Sequence, residues 1–572
     1  MATHGGRALC VGGFVRDQLL GRASKDLDIE VFGLPQSSLP AILGALGRVE
    51  PVGQSFPVYK LGAVDVALPR RESKSGRGHK GFVVEGDPSM SLEDAARRRD
   101  FTVNAVSWDP LTGEYIDPFG GREDLDGRLL RVVDPATFAD DSLRVLRALQ
   151  FAARFHLTMD DQAKAICRAI PLDDLPAERL WGEFEKLLLA ADRPSIGFAL
   201  ARELGVVHQL LPEMEPLYDC PQDPEWHPEG DVWTHTLMVI DQARARNADL
   251  DRPRLAAVML GAVCHDLGKP ETTIHVDGRV KSPGHEAAGV PYATRILDRF
   301  NVNSLEGFDV RAQVLGLVTE HLRPSAFHRA HATVRDGAFR RLAQRVDLEL
   351  LVRFARADCH GRAGTFDCSA MDWFLDRARA LGVEHRPPSP ILLGRHLIEM
   401  GMTPGPRMGE LLRAVYELQL DGVVTTLDDA RREAARAWRG SGAEYRDRPS
   451  SRWQGAAIWN DVSRRNRHLQ VHRRVLRWAM DTARRSVGGR SATRSRMRRI
   501  ELSVAGRPTV GPLRRRRIHR RAGIRPGSLV LAGSAQCNDH TTCRESPSKD
   551  RGVIPPPGRR PDDHAFGVRI AP

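Results

Sequence analysis

The stretch ALCVGGFVRDQLLGRASKDLDIEVFG, residues 8–33, decides the fold of the N-terminal part of this chain. Its apolar start at 8–11 predicts a strand, the pair Gly12-Gly13 predicts a turn, and 14–20 predicts a short helix that ends at a glycine. A second strand is expected directly after this helix. The order strand, turn, helix, strand is typical of a small α/β domain.

Two carboxylates separated by one residue begin the second predicted strand. Alternate side chains of a strand point to one face, so Asp26 and Asp28 are expected to converge. Such a pair can hold Mg²⁺, which accepts phosphate oxygens and activates a hydroxyl for in-line attack. The turn at Gly13 would add free backbone N–H groups and Arg16 would add a guanidinium, which suits a triphosphate. The competing interpretation is an acidic strand end that merely faces solvent.

Length and composition exclude several classes of protein. At 572 residues the chain is too long for one core, so three or four domains are expected. We found no apolar run near the ~20 residues that span a bilayer, and the first thirty residues lack the apolar segment of a secretion signal. A cytoplasmic protein without membrane contact is therefore predicted. The eight cysteines form no Cys-x-x-Cys pair, which favours reduced, mostly buried thiols.

The positive net charge comes from one end of the chain. From position 441 onward there are 30 Lys and Arg against 10 Asp and Glu, so the 85 and 73 of the whole chain leave 55 and 63 for residues 1–440. The body is thus acidic, and the net charge of +12 gives no argument that it binds RNA. The tail is Arg-rich and then rich in Pro and Gly, which predicts disorder. It is interpreted as a solvated or aberrant extension, with an RNA-binding arm as the alternative.

Further blocks follow in an ordered series. FPVYKLGAVDVALP at 56–69 predicts a hairpin that would bring Asp65 to face the first two carboxylates, although an edge-strand Asp also serves to prevent edge pairing. RRESKSGRGHKGF at 70–82 predicts a mobile loop. The blocks LEDAARRRDFTVNAVSWDP at 92–110, DDSLRVLRALQFAARF at 140–155 and ERLWGEFEKLL at 178–188 come next.

Taken together, GGFVRD, DLD and RRDFTVNA resemble the class II nucleotidyltransferases, the family of CCA-adding enzymes and bacterial poly(A) polymerases. The resemblance implies that Asp26 and Asp28 are catalytic and hold Mg²⁺, and that Arg99 contacts the triphosphate of ATP or CTP. It also implies that 70–82 is a flexible loop that assists closure over the nucleotide. The RNA partner it implies is tRNA.

The block at 140–155 resembles the family's amino-acid template for the incoming base. There Asp141, Arg144 and Arg147 are expected to lie near one another on one helix face and to present acceptors and donors to C or A. Surface salt bridging is the alternative. Gln150 stands where the family commonly has an arginine of the nucleotide pocket, so a full CCA-adding activity is weighed against poly(A) or partial addition. Glu178 and Arg179 are expected to brace the templating helix.

A second series resembles the HD phosphohydrolases in the version fused to bacterial CCA-adding enzymes. It comprises WHPEGDVWTHTLMVI, LGAVCHDLGKP, SPGHEAAGV, VTEHLRP and ARADCHGR. The resemblance implies a divalent metal, with Ni²⁺, Mn²⁺ and Mg²⁺ as candidates, and hydrolysis of cyclic phosphates and other phosphoesters. Its expected ligands are His235, His265, Asp266 and Asp358.

Three further side chains are assigned to that second site. His285 and His321 are expected to add a second metal or to hold phosphate, and Lys269 to orient phosphate. A structural hydrogen bond between the adjacent His and Asp is the alternative for the pair at 265–266.

The predicted fold is α+β. We expect a polymerase-beta-like nucleotidyltransferase α/β domain at 1–138, a helical nucleotide-selecting and RNA-binding domain at 139–220 and an all-α HD domain at 221–385. A helical extension at 386–440 and a disordered basic tail at 441–572 complete the chain.

The predicted function is template-independent CCA addition to tRNA from CTP and ATP, with a second, hydrolytic HD site. Three alternatives are a poly(A) or partially CCA-adding enzyme, an HD hydrolase whose transferase half only binds RNA, and a nucleic-acid-binding protein that works through its basic tail. The sequence does not specify the oligomeric state.

Overall fold

The computed structural model describes residues 1–24, 26–53, 57–74 and 82–440. The predicted tail at 441–572 lies outside the described residues. In the described part of the chain, no helix combines the length and the apolar character needed to cross a membrane.

Most strands of the described chain lie near the N-terminus, and the rest is helical with a few short strand pairs. The strands are β1 Arg7–Val11, β2 Leu27–Phe32, β3 Glu50–Val52, β4 Val58–Leu61, β5 Val64–Ala67, β6 Arg70–Lys74, β7 Phe82–Gly86, β8 Ser107–Trp108, β9 Tyr115–Ile116, β10 Leu129–Leu130, β11 Thr158–Met159, β12 Ile274–Val276, β13 Arg279–Lys281, β14 Ser304–Leu305 and β15 Phe308–Asp309. The first helices are α1 Gly13–Leu19, α2 Leu39–Gly44, α3 Leu92–Arg97, α4 Gly121–Asp126, α5 Leu143–Phe155, α6 Asp161–Arg168, α7 Ala177–Ala190, α8 Pro194–Glu203 and α9 Val206–Leu210. The remaining helices are α10 Val232–Arg246, α11 Arg252–Cys264, α12 Lys269–Thr272, α13 His285–Arg299, α14 Val310–Glu320, α15 Arg323–Arg329, α16 Asp336–Leu342, α17 Leu348–His360, α18 Ser369–Ala380, α19 Gly394–Glu399, α20 Pro406–Leu420 and α21 Leu427–Gly440.

A sheet of seven strands, in the order β3-β4-β5-β2-β1-β8-β9, forms the N-terminal part. The predicted strand at 8–11 is confirmed as β1, and the predicted helix at 14–20 is confirmed as α1. Gly62 has a left-handed φ of 63° between β4 and β5, which confirms the predicted hairpin turn.

The register of the central strands brings the carboxylates together. β2 runs antiparallel to β1 and parallel to β5. Asp28 is therefore the partner of Val11 on one side and of Asp65 on the other. The end of β1 leads straight into the turn at Gly12, so this turn lies beside Asp28.

The predicted mobile loop at 70–82 is partly wrong. Its first residues form β6, which pairs antiparallel with β7, from Arg70 opposite Gly86 to Lys74 opposite Phe82. The polar composition suggested that the backbone groups of this segment would face water. Hydrogen bonds between β6 and β7 satisfy them instead. Residues 75–81 lie outside the described residues.

The helical part has a continuous apolar core. One cluster of buried side chains extends from Phe101 to Val383, and a second joins residues of α19, α20 and α21 between Leu392 and Ala434. The second cluster agrees with a separate extension at 386–440. The first crosses the expected boundary at 220, so the division between neck and HD domain stays a prediction.

The cysteine prediction is wrong for one pair. Cys359 near the end of α17 and Cys368 just before α18 form a disulfide, with Cα atoms 6.1 Å apart. The two helices pack against each other, which brings residues nine positions apart within bonding range. The four other cysteines of the described chain are free and buried: Cys10, Cys167, Cys220 and Cys264.

Two candidate active sites

Three carboxylates meet where β2 and β5 begin. Asp28 and Asp65 are register partners, and Asp26 lies immediately before β2. Partial desolvation raises the pKa of Asp28, Arg99 lowers it, and the charges of Asp65 and Asp26 raise it further. Asp65 also binds Lys60, whose Nζ lies 2.8 Å from both carboxylate oxygens. Carboxylates on neighbouring strands of one sheet can hold a cation between them.

The turn after β1 closes the other side of this cluster. Gly12 has a φ of 68°, and a Cβ there would lie 3.2 Å from Arg99 Nη1 and 3.8 Å from Asp28 Oδ2. A glycine is therefore required for the backbone to approach both groups. A Cβ added at Gly13, the glycine predicted from the sequence, would instead lie 3.4 Å from Arg16 Nη2.

Glu30, which the sequence analysis did not single out, holds Arg99 in place. It is buried and accepts a 2.9 Å hydrogen bond from Arg99 Nη2, and it also binds Arg98. It stands two residues after Asp28 in β2, on the same strand face. The alternation of acidic residues in DLDIE could have identified it.

Arg16 lies in a buried network rather than in the open. Its Nη1 donates to Asn104 Oδ1 at 2.7 Å, Asn104 Nδ2 donates to Asp100 Oδ1 at 2.9 Å, and Arg147 Nε donates to Asp100 Oδ2 at 2.6 Å. Burial lowers the pKa of Arg16, and its guanidinium lies 4.1 Å from the centre of the Phe155 ring. The network joins α1 to α5. The expected contact between Arg16 and a nucleotide stays a prediction.

The expected templating residues do not share one helix. α5 begins at Leu143, and Asp141 precedes it with extended backbone, so the prediction that Asp141 lies on the helix face is wrong. A short 3₁₀ turn that ends at Asp140 interrupts the helical pattern. Asp141 instead accepts a 3.0 Å hydrogen bond from Arg179 Nη2, which agrees with the bracing role expected for Arg179.

Arg144 spans the junction between the sheet domain and the helices. Its Nη2 donates to the carbonyl of Arg98 at 2.9 Å, and its Nη1 donates to the carbonyl of Thr137 at 3.2 Å. It also lines a cavity of about 340 Å³, together with Arg71 and Asp140. The cavity brings cationic and acidic groups of both parts together.

Gln150 is buried and bonded within its own helix. Its Oε1 accepts a 2.9 Å hydrogen bond from Arg154 Nη1, one turn further on. Burial lowers the pKa of Arg154, and the charge of the nearby Arg16 lowers it further. A guanidinium is thus present next to position 150 even though residue 150 is not an arginine.

The second candidate site forms where five helices meet. His235 lies on α10, the pair His265-Asp266 follows α11, and Asp358 lies on α17. His235 Nε2 lies 3.1 Å from Asp358 Oδ1 and 3.8 Å from Asp266 Oδ2, while His265 Nε2 lies 3.1 Å from Asp266 Oδ2. The four side chains that the sequence analysis named are therefore neighbours. His285 at the start of α13 and His321, which directly follows α14, complete the cluster.

Three imidazoles of this cluster are oriented in the same way. The Nδ1 atoms of His265, His285 and His321 lie 2.8–3.0 Å from backbone carbonyl oxygens. A carbonyl only accepts, so each Nδ1 carries a hydrogen, and in the neutral form of each ring Nε2 presents a lone pair. The Nε2 atoms of His285 and His321 are 3.2 Å apart. Two facing lone pairs are unfavourable unless a cation lies between or beside them.

Asp266, the carboxylate beside these imidazoles, also fits a metal site. Both carboxylate oxygens of Asp266 and the Nε2 of His265 are buried without an aligned hydrogen-bond partner among the described residues. Burial works to raise the pKa of Asp266, but the charges of His265 and Lys269 hold it well below its usual range. Lys269 Nζ lies 2.6 Å from Asp266 Oδ2. Imidazole nitrogens and a carboxylate are the donor set of a divalent transition metal.

Glu229 orients His235 from behind, and the sequence analysis missed it. Its Oε1 lies 2.8 Å from His235 Nδ1 and 2.9 Å from His227 Nδ1, and its Oε2 accepts from the backbone N–H of Ala363. These bonds outweigh burial and lower the pKa of Glu229. Burial alone would lower the pKa of His235, but its bonds to Asp358 and Glu229 raise it. The spacing His-x-Glu ahead of the first ligand could have indicated this partner.

Family models match two segments of the chain. Residues 8–131 match the Poly A polymerase head domain, and residues 159–218 match the model described as the probable RNA and SrmB-binding site of polymerase A. The first segment contains the three carboxylates, and the second follows α5.

Curated relatives cover most of the described chain. The Multifunctional CCA protein of Cupriavidus metallidurans is 39% identical over 376 residues, which are 62% of this chain and 85% of the relative. The protein of the same name from Methylococcus capsulatus is 36% identical over 423 residues, 71% of this chain and 92% of the relative.

Solved structures share the fold. The Bacillus stearothermophilus CCA-adding enzyme in complex with CTP superposes with a TM-score of 0.52 and 22% identity, over 77% of this chain and 95% of that one. A CCA-adding enzyme in apo form II has a TM-score of 0.51 and 20% identity, over 76% and 93%. Both likenesses concern the fold alone.

Proposed function

The chain belongs to the family of the multifunctional CCA proteins, and on that basis we propose that it adds C, C and A to the 3′ end of tRNA from CTP and ATP and hydrolyses phosphoesters at a second site. The observation that carries the first activity is the meeting of Gly12, Asp28, Asp65 and Arg99 at one point. A cytoplasmic location, expected from the sequence, stays a prediction.

The proposed transfer joins the RNA 3′-hydroxyl to the α-phosphorus of the nucleotide as the bond to pyrophosphate breaks. Asp26 and Asp28 would hold Mg²⁺, which when bound neutralises charge on the phosphates and acidifies the attacking hydroxyl. Arg99, fixed by Glu30, is positioned to bind phosphate oxygens with its remaining N–H groups. Asp28, or a second metal-bound group, is proposed to take up the hydroxyl proton.

Nucleotide choice is proposed to depend on Asp141 and Arg144. A carboxylate and a guanidinium offer acceptors and donors that C and A can both satisfy. Arg147, which is held by its hydrogen bond to Asp100, would support the same pocket. The guanidinium of Arg154 beside Gln150 supports a complete pocket in spite of the missing arginine. This favours full CCA addition over a poly(A) or partially adding enzyme.

The proposed hydrolase is built on His235, His265, Asp266 and Asp358. The buried Asp266 carboxylate and the imidazole Nε2 atoms around it fit a divalent metal, and His285 with His321 fits a second one. A bound metal would supply a nucleophilic water for attack on phosphorus. Lys269 would screen Asp266 and Glu229 would fix the tautomer of His235. The identity of the metal stays open among Ni²⁺, Mn²⁺ and Mg²⁺.

Extension of a tRNA that ends one base before CCA tests the first activity. We expect CTP alone to give two additions, CTP with ATP to give three, and the double variant Asp26→Ala with Asp28→Ala to give none. Addition of A without prior C would instead assign a poly(A) or A-adding enzyme. Failure with every nucleotide would leave the hydrolytic site as the activity of the chain.

A further inference from the structure

The disulfide between Cys359 and Cys368 lies at the edge of the second site. It joins the last turn of α17 to the residue that directly precedes α18. Asp358, one of the expected metal ligands, is the neighbour of Cys359 in the chain, and both residues line a cavity of about 870 Å³. The disulfide therefore closes a short loop, residues 360–367, that begins beside a metal ligand.

This loop also supports a ligand on another helix. The backbone N–H of Ala363 donates to Glu229 Oε2 at 3.0 Å, and the other carboxylate oxygen of Glu229 lies 2.8 Å from Nδ1 of His235. At Gly361, a Cβ would lie 2.9 Å from the Cα of Val239, which stands one turn after His235 on α10. The position of the loop is thus linked to the ring of His235 through Glu229 and to α10 through direct packing.

The two sulfurs differ in their access to solvent. Cys359 is buried, whereas Cys368 is half-buried. Thiol–disulfide exchange begins when a thiolate attacks an accessible sulfur, so an external thiol would reach Cys368 first. In the cytoplasm, which is the predicted location of this chain, lasting structural disulfides are rare and those that form are usually redox-active.

We propose that the disulfide of Cys359 and Cys368 is a reversible redox switch of the second metal site. In the oxidised chain it fixes the loop 360–367, so that His235 and Asp358 are held in position to bind a metal. In the reduced chain the loop is released and metal binding is weaker. The inference rests on the proposed hydrolase function and names a regulation of that site.

The switching reaction needs a dithiol as its reductant. One thiolate of the dithiol attacks Sγ of Cys368 and forms a mixed disulfide, while Sγ of Cys359 leaves as a thiolate and takes up a proton. The second thiolate of the reductant then attacks its own sulfur in the mixed disulfide, and Cys368 leaves and takes up a proton. Two electrons and two protons pass in total from the dithiol to the protein, and the dithiol becomes a disulfide.

Peptide mapping without reduction tests whether the bond forms in solution. Trypsin cleaves after Arg356, Arg362 and Arg377, so Cys359 falls in peptide 357–362 and Cys368 in peptide 363–377. We expect mass spectrometry to find these two peptides linked in the full chain after exposure to glutathione disulfide, and separate after dithiothreitol. Failure to find the linked pair in the oxidised sample would overturn the proposal.

Calorimetric titration with Mn²⁺ tests the effect of the bond on the metal site. The full chain is compared in its oxidised form and after reduction by dithiothreitol, which is then removed by desalting without oxygen. We expect reduction to weaken Mn²⁺ binding about tenfold, because the support of His235 and Asp358 is loosened. Equal affinity of the two forms, or tighter binding by the reduced form, would overturn the proposal.

Two cysteine variants assign the effect to this bond. Cys368→Ala leaves the buried Cys359 in place, and it should bind Mn²⁺ like the reduced chain whether or not dithiothreitol has been applied. Cys167→Ala, which removes a free buried thiol from α6, should keep the full response of the unmodified chain. A redox response that Cys368→Ala retains would place the switch on another cysteine and overturn the proposal.

Hydrogen exchange and two activity assays separate the switch from the proposed hydrolase. Reduction should speed amide exchange in residues 358–368, leave exchange in residues 7–32 unchanged, leave CTP addition unchanged and slow Mn²⁺-dependent hydrolysis of bis(p-nitrophenyl) phosphate. Absence of hydrolysis in both forms, with the loss of Mn²⁺ affinity on reduction, would refute the hydrolase and keep the switch. Equal hydrolysis and equal exchange in both forms would refute the switch and keep the hydrolase.

Discussion

Asp65 is the carboxylate whose role the geometry defines most sharply. It faces Asp28 across the parallel pair of strands, and Lys60 forms an ion pair with it. A cation that binds Asp28 and Asp65 together would compete with Lys60 for the same oxygens. Substitutions of Asp65 and of Lys60 should therefore change Mg²⁺ binding in different ways.

We predict that Asp65→Asn raises the Mg²⁺ concentration for half-maximal nucleotide addition about tenfold, because one of three converging charges is lost. Lys60→Met, the matched control, should leave that concentration unchanged or lower it, because it frees Asp65. Titration of Mg²⁺ in the extension assay measures both. An equal rise in the two variants would mean that the ion pair, and not the metal, is what Asp65 serves.

Glu229 provides the corresponding test at the second site. We predict that Glu229→Ala weakens Mn²⁺ binding about 10- to 100-fold, because His235 loses the acceptor at Nδ1 that orients its ring. Calorimetric titration with Mn²⁺ measures this, and CTP addition by the same preparation serves as the control. Unchanged Mn²⁺ affinity would show that Glu229 contributes only to packing of the loop at Ala363.

At the scale of elements, the close approach of α13 to the segment after α11 shapes the second site. A Cβ on Gly268 would lie 2.1 Å from the carbonyl oxygen of His285 and 2.5 Å from the backbone N of Gly289. Both atoms belong to the backbone of α13 and cannot move away cheaply. The glycine thus sets the distance between His265 and His285.

We predict that Gly268→Ala costs about 3 kcal/mol in the free energy of unfolding and abolishes hydrolysis, because α13 must shift. Gly182→Ala is the control, since nothing lies within 4 Å of its added Cβ in the middle of α7. It should gain roughly 0.5–1 kcal/mol by removing a flexible residue from a helix. Urea unfolding of both variants measures the difference, and a neutral Gly268→Ala would contradict the packing described here.

Elements with a strong local pattern were predictable and those set by distant pairing were not. The predicted strand is present and contains Asp28, whereas Asp26 lies immediately before it, and the hairpin turn at Gly62 brings Asp65 opposite Asp28. Asp141 was expected in a helix because apolar spacing cannot show the 3₁₀ turn before Leu143. The pairing of β6 with β7 and the disulfide of Cys359 depend on tertiary contacts, which no local pattern records.

At the scale of the whole molecule, the chain separates an acidic body from a basic end. Residues 1–440 carry 55 Lys and Arg against 63 Asp and Glu. RNA binding by the body would therefore depend on local groups of cations rather than on its net charge. The basic end adds attraction for any polyanion, which is screened by salt.

We predict that removal of residues 441–572 leaves both activities within a few-fold of the full chain at physiological salt. RNA affinity at low salt should fall, and its dependence on salt should become less steep, because fewer phosphate contacts remain. Filter binding of tRNA across a salt series measures this beside the extension assay. Complete loss of tRNA affinity would make the basic end the principal RNA-binding part.

The measurement that tests the central claim most directly is a paired assay of Asp28→Asn and Asp266→Asn for CCA addition and for hydrolysis of a 2′,3′-cyclic phosphate. The account predicts that Asp28→Asn lowers addition by more than about 100-fold and leaves hydrolysis intact, and that Asp266→Asn does the reverse, since each removes a ligand from one site. Loss of both activities in either variant, or retention of addition by Asp28→Asn, would contradict two separate metal sites in one chain.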